Sequence, residues 1–315
     1  MSDFTQAVSR LLLIIIASVM LTSVFTNVCA VNTPPRVIRV PQDFSTIQDA
    51  VDVASARDII IVGPGEYYGA VLDTPNLEIR GFGAVIVDGP LHDSDPNLRI
   101  GFFCPNSLSS GATIGGFSFT VDLPIFGRHC EFVTVERNTM IQPLQGVTCV
   151  SGSRWSIIHN SIYGIKNVSS YYGAGVAIYS LASSDPSACE NLVAFNTITG
   201  DFPEFRELPP IGIWLSSQGG GIITRNKIVY NRVTMTGNGP QLFAPAAIVM
   251  SCVPPNIQSL FFDNKVGFND LRGSILEIFY FPWVSAFEDY NDISMNLGTN
   301  RAYDGIIPNV FKPVI

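Results

Sequence analysis

The sequence predicts an all-β chain, a single-stranded right-handed parallel β-helix with an N-terminal capping helix. Three observations carry this. A six-residue phrase recurs through the second half, clearest at Ile157-Ile158-His159-Asn160-Ser161-Ile162. Between about residue 58 and residue 300 no helical stripe interrupts the short β-rich runs, which alternate with Gly, Asn, Ser and Pro. One short amphipathic segment near the N-terminus is the only helix the pattern supports.

The phrase returns at Asn138, Asn196, Asn226, Asn264 and Asn291. Each Asn is followed by a polar residue (Thr139, Ser161, Thr197, Lys227, Lys265, Asp292) and then an apolar one. Successive spacings are 22, 36, 30, 38 and 27 residues. Repeats of that length built from short strands mark a stacked coil. Against a base coil of 22, the surplus falls in Asn167–Gly173, Asp201–Pro210 and Gly237–Pro245, which read as loops. Asn suits a sharp corner because it tolerates left-handed backbone. Its amide both donates and accepts, so Asn on Asn forms a ladder. Three coils carry a second Asn five residues on: Asn231, Asn269 and Asn296. A parallel stack buries the inner face of every coil, which accounts for the near-continuous apolar runs.

In chain order, residues 1–30 read as an export signal. An eleven-residue apolar run, Leu11 to Leu21, follows Arg10, and Val28-Cys29-Ala30 offers small residues for cleavage. Asp3 offsets Arg10, so an uncleaved membrane anchor is the second reading. Residues 31–36 form a linker, and residues 37–315 one β-helix domain. Arg36 to Val40 alternates as a first strand. Ser45 and Gln48 form a capping box, and Ile47, Ala50, Val51 and Ala54 make one apolar stripe over Thr46–Ala56. That helix would cover the open N-terminal edge of the stack. Ile306 to Phe311 is expected to cover the other end.

Val40-Pro41-Gln42-Asp43-Phe44-Ser45-Thr46-Ile47-Gln48-Asp49-Ala50-Val51, then Ile59-Ile60-Ile61-Val62-Gly63-Pro64-Gly65-Glu66-Tyr67, resembles the opening of right-handed parallel β-helix proteins of the pectate lyase-like superfamily. Pectin esterases and periplasmic NosD-type proteins begin similarly. With the Asn phrases, the resemblance spans about residues 37–300. It implies the fold and is shared by enzymes and non-enzymes.

The enzymatic motifs of these relatives are missing. No Gln-Asp-Thr-Leu-like motif occurs, and none of the three His (92, 129, 159) lies between two Gly. Lyase chemistry would need acidic calcium ligands, and His92-Asp93-Ser94-Asp95 is the best cluster: Asp93 and Asp95 are the candidate metal ligands, with a solvated turn as the competing reading. No other cofactor is expected. Tyr171, Tyr172, Trp214 and Trp283 lie in or beside the loops and are candidates for stacking on sugar rings, with packing of the long loops onto the coil as the competing reading. Glu204 and Arg206 are candidate polar contacts in the Asp201–Pro210 loop. His159, Asp289 and Asp292 read as outward surface positions.

Composition narrows the partners. Formal net charge is −8 and no Lys/Arg block occurs, so nucleic acid is excluded as a partner. A membrane is involved only if the N-terminal segment stays uncleaved. Cys104, Cys130, Cys149, Cys189 and Cys252 remain after cleavage and read as small buried residues, with no metal spacing among them. The reading that follows is a secreted or cell-envelope β-helix that binds polysaccharide without cleaving it. A divergent polysaccharide lyase or glycoside hydrolase is the first alternative, and a NosD-like periplasmic accessory protein the second.

Overall fold

Ile38, Ile60, Ile79, Ile114, Val135, Ile157, Val193, Ile228, Val266 and Ile293 stand in one unbroken register, each on the next strand of a parallel sheet. This column is the spine of a parallel β-helix. The computed structural model describes residues 34–166, 172–182, 187–202, 210–237, 245–253, 260–281, 289–298 and 301–302. The compact unit begins at Arg36. The column belongs to sheet A; among the described residues the coils build three long faces, sheets A, B and C, and a short fourth sheet joins Ala188–Cys189, Ile223–Thr224 and Phe261–Phe262. The right-handed sense follows from the general rule for parallel crossovers.

Each sheet turns its own aliphatic column inward. Sheet B supplies Ile86, Phe119, Met140, Ile162, Ile198 and Val233. Sheet C supplies Ala70, Phe102, Ile125, Val147, Val176, Ile213, Ile248 and Ile278. All are buried in one core. A fully buried side chain of this size contributes ~2 kcal/mol of transfer free energy, so the columns dominate stability. All five described cysteines are buried, as the sequence predicts, and none is paired with another.

The cap helix is shorter than expected, Ile47–Asp52, and its N-cap is Thr46 rather than Ser45. Thr46 Oγ1 accepts the Asp49 N–H at 3.1 Å. Gln48 does not close a capping box. Its Oε1 accepts the Val71 N–H at 2.8 Å instead, tying the helix to the first strand of sheet C. Ile47, Ala50 and Val51 are the buried stripe. The loops expected after residues 166, 202 and 237, and the cover expected at Ile306–Phe311, lie largely or wholly outside the described residues, as does the N-terminal signal. No described helix is long and apolar enough to cross a membrane.

The Asn phrase resolves into two ladders, where the sequence spacing suggests one. The first runs Asn138–Asn160–Asn196–Asn231–Asn269–Asn296 and turns the chain into sheet B. The second runs Asn191–Asn226–Asn264–Asn291 and turns it into sheet A. Asn226, Asn264 and Asn291 therefore do not stack on Asn196. The confusion is physical: both corners use Asn, a polar residue and an inward aliphatic. The left-handed residue is also displaced by one place. It is the residue before each Asn: Arg137, His159, Phe195, Tyr230, Phe268 and Met295 at the first corner, Glu190, Arg225 and Asp263 at the second. The Asn itself is spent on hydrogen bonds. Asn196 Oδ1 accepts both the backbone N–H and the Nδ2–H of Asn160, while its own Nδ2 donates to Ile157 O and to Asn231 Oδ1.

Candidate functional site

The outer face of sheet C holds a second, separate core. Phe126, Val150, Ala177, Tyr179, Trp214, Val249 and Phe279 alternate with the inward column and pack together outside the coil. Trp214 is wholly buried there, edge-on to Tyr172 and Tyr179 at centroid distances of 5.3 and 5.1 Å. Its Nε1–H donates to Ser251 Oγ at 3.0 Å, and Ser251 Oγ donates to Ser216 Oγ at 2.8 Å. Gln145 bridges Thr148 and Tyr179 in the same layer. Burial pushes the Tyr172 hydroxyl up to about 12.

This corrects the expectation that Tyr172 and Trp214 offer open ring faces to a sugar. Their faces are consumed by packing. Tyr171, Trp283, Glu204 and Arg206 lie outside the described residues. Asp93 pairs with Arg128 at 3.3 Å, and Asp95 Oδ1 accepts the backbone and side-chain N–H groups of Asn97. The two carboxylates are thus engaged with different partners, and among the described residues no three acidic, His or Cys side chains converge as a metal site would require.

His159 is exposed, in agreement with its sequence reading, and belongs to a file of rings along the first corner. His159, Phe195, Tyr230 and Phe268 stack face to face at 5.1, 5.3 and 5.2 Å, each pair within 17° of parallel. The spacing is set by the coil repeat of ~4.8 Å. Because each ring covers its neighbour, the file presents edges to solvent and does not form a sugar platform.

An open cleft with free ring and carboxylate surface lies elsewhere, on the last coils of sheet A and its entering corner. Its volume is about 730 Å³, and its lining comes from two stacked segments, Phe262–Lys265 and Asp289–Asp292. The strand register sets Lys265 directly on Asp292, and their side chains pair at 2.9 Å. Asp292 is held below the usual carboxylate range by Ser294, whose hydroxyl donates to it at 2.6 Å, and by Lys265. Asp263, in the left-handed corner position, donates its backbone N–H to Tyr290 O and turns its carboxylate outward. Tyr290 is 38% exposed and Phe262 half-buried. Asp263 and Asp289 are exposed and form no ion pair with a described residue. The site therefore combines two aromatic side chains, two carboxylates without an ion-pair partner among the described residues, and one Lys–Asp pair.

Asp289 and Asp292 are exposed, in agreement with their surface reading, but that reading did not place them in one cleft. The signal was present in the repeat: Asn264-Lys265 and Asn291-Asp292 are the same phrase one coil apart, which stacks Lys265 on Asp292.

No protein-family model matches the chain, and no curated protein matches it. Among solved structures the chain is similar to an alginate lyase from Paenibacillus sp. str. FPU-7, with 13% identity over 85% of this chain and 99% of that one, at a TM-score of 0.38. It is also similar to the catalytic domain of a GH87 alpha-1,3-glucanase in complex with tetrasaccharides, with 13% identity over 84% of this chain and 66% of that one, at a TM-score of 0.37.

Proposed function

We propose that the chain is a glycan-binding β-helix protein that holds a saccharide in the Asp263–Tyr290 cleft without cleaving it. One observation carries the reading: the cleft couples the Tyr290 and Phe262 rings with exposed carboxylates from two adjacent coils. Its size lies within the range of ~300–1,000 Å³ usual for ligand sites, and its shallow form suits a chain that lies across the coils. Sugar C–H groups pack on an aromatic face while the hydroxyls bond to the flanking carboxylates.

The absence of turnover is argued from the acids. Glycoside hydrolysis needs one carboxyl group kept protonated near neutral pH, which burial or a like charge must provide. Asp292 is shifted the other way, and Asp263 and Asp289 are exposed side chains with no described like charge paired against them. The competing reading, a divergent glycoside hydrolase, draws on Asp263 and Asp289 sharing one cleft. The export signal read at residues 1–30 would place the cleft outside the cytoplasm, in the envelope or the medium.

Glycan-array binding by the full chain tests the proposal, alongside Tyr290→Ala and Asp263→Asn, with reducing ends and unsaturated products measured on every hit. Binding that Tyr290→Ala weakens at least tenfold, about 1.4 kcal/mol, with no products, is the expected outcome. Products that vanish in Asp263→Asn would replace binding with hydrolysis. Binding that Tyr290→Ala leaves untouched would remove the cleft from the reading.

A further inference from the structure

We propose that His92 is an acid-sensitive latch that holds the tip of a β-hairpin against the outer face of sheet C. The hairpin is formed by Leu91–His92 and the start of the strand Asp95–Cys104, paired antiparallel in an otherwise parallel set of described strands. Its tip folds over Phe126, which lies on the outer face next to Arg128. The His92 ring meets Phe126 edge-on, with centroids 5.1 Å apart and planes at 78°. Arg128 lies over the same ring, its guanidinium carbon 4.9 Å from the centroid. His92 is 2% exposed.

The hydrogen bonding of His92 fits only the neutral ring. Nδ1 accepts the Ser94 N–H at 3.2 Å, which puts the ring proton on Nε2. Nε2 is buried and meets no acceptor among the described residues, and the same holds for the neighbouring Arg128 Nε. A second proton would go to Nδ1. It would point at the Ser94 N–H, so two donors would face each other where one bond now closes the tip. The imidazolium would also sit beside Arg128 with no carbonyl or carboxylate on Nε2.

The other charges around the ring do not reverse this. Asp93 and Asp95 attract an imidazolium, but Asp93 is 70% exposed and already paired with Arg128, and Asp95 bonds to Asn97. On the same hairpin, Arg99 pairs with Asp88 at 3.2 Å. Burial first, and then Arg128, lower the His92 pKa below its usual value. The docked tip therefore binds fewer protons than the free tip, so docking weakens as pH falls through the ordinary histidine range and is complete above it. Release would uncover Phe126 and open the N-terminal part of the outer core.

Hydrogen exchange read by mass spectrometry, from about pH 7.5 to about pH 5 and corrected for intrinsic rates, tests the latch. Wild type and His92→Phe are compared, because phenylalanine keeps the ring contact and cannot take a proton. A peptide covering Ile213–Ser216 in mid-sheet C reports global stability. The expected result is a several-fold loss of protection at residues 91–97 in wild-type protein at the acid end, none in His92→Phe, and a steady control peptide. Equal loss in both proteins, or a loss shared by the control peptide, would overturn it. A direct NMR titration of His92 in wild-type protein stands apart from any folding defect of the variant. A midpoint at or above the usual histidine value would overturn the latch as well.

Discussion

Over four successive coils the left-handed position at the corner that enters sheet B is filled by His159, Phe195, Tyr230 and Phe268, with Arg137 one coil before and Met295 one coil after. At the corner that enters sheet A it is filled by Arg154, Glu190, Arg225 and Asp263, with Phe132 one coil before, its ring under Arg154. Over the four coils the backbone conformation is the same and so is the Asn, or Trp155 in one coil, that follows. Only the chemistry of the outward side chain differs. One corner is a file of stacked rings; the other alternates in charge, with Arg154–Glu190 and Glu190–Arg225 both paired at 2.9 Å. The left-handed residue pays a conformational cost of roughly 1–2 kcal/mol, which the inward Asn ladder offsets. Once the Asn bonds hold the turn, the outward side chain is free to be anything that tolerates a like neighbour one coil away. Flat rings do so by stacking, and charges do so by alternating in sign.

The comparison can be broken first at what the two corners share. Replacing Asn196 or Asn226 by Ala leaves buried amide donors without acceptors in the preceding coil, and each substitution is expected to cost on the order of 4 kcal/mol in denaturant unfolding. A loss below about 1 kcal/mol would show that the ladders do not carry the corners. Tyr230→Ala is expected to cost about 2 kcal/mol, because it removes two ring contacts, and the loss should be the same at low and high salt. Tyr230→Gly sharpens the point. Without a Cβ it relieves the left-handed strain, so it should be more stable than Tyr230→Ala by about 1 kcal/mol, against the usual order of the two residues. Equal stabilities would deny the strain.

The charged corner gives the smallest effects. Glu190→Gln should destabilise less than Tyr230→Ala, and its effect should fade at about 1 M salt, where the screening length is ~3 Å. Hydrogen bonding to Arg154 and the charges of Arg154 and Arg225 hold the Glu190 carboxyl below its usual range. Its contribution is therefore present at neutral pH and is lost as pH falls through the ordinary glutamate range toward that lower value. The stability of Glu190→Gln should show a shallower acid limb than wild type, measured by thermal unfolding across pH.

Much of the fold was legible because its signals are local. The cap helix, the first strands and the inward aliphatics are each set by a few adjacent residues. Register was harder, since Asn-Lys-Ile at residue 226 and Asn-Thr-Ile at residue 196 obey one rule at two different corners. Which one stacks on Asn160 depends on the lengths of the intervening strands, and no single phrase contains that information. The outer core was hidden for another reason. Ile211-Gly212-Ile213-Trp214-Leu215 has no polar face, and a parallel stack alone accounts for burial of one face only. Its lack of alternation instead reports burial on both faces, which moves Trp214 from a binding candidate to a packing residue. The cleft was legible only in part: the phrase spacing implies that Lys265 meets Asp292, but the inward or outward turn of Asp263 depends on a backbone angle that residue identity does not determine.

The amide ladders have a direction. Beyond the first Asn of each ladder, every Asn oxygen receives two N–H groups from the Asn of the coil before it, and none of these Asn–Asn bonds runs the other way. The first ladder starts where Asn138 Oδ1 takes the Phe117 N–H, in a coil that has no Asn of its own at that corner. A coil is thus completed by its successor. In a chain laid down N-terminus first, each new coil would complete the amides of the coil beneath it and leave its own donors open until the next arrives. The stack is polar in the same sense as a filament, with unlike ends: one under the cap helix, the other bearing the cleft.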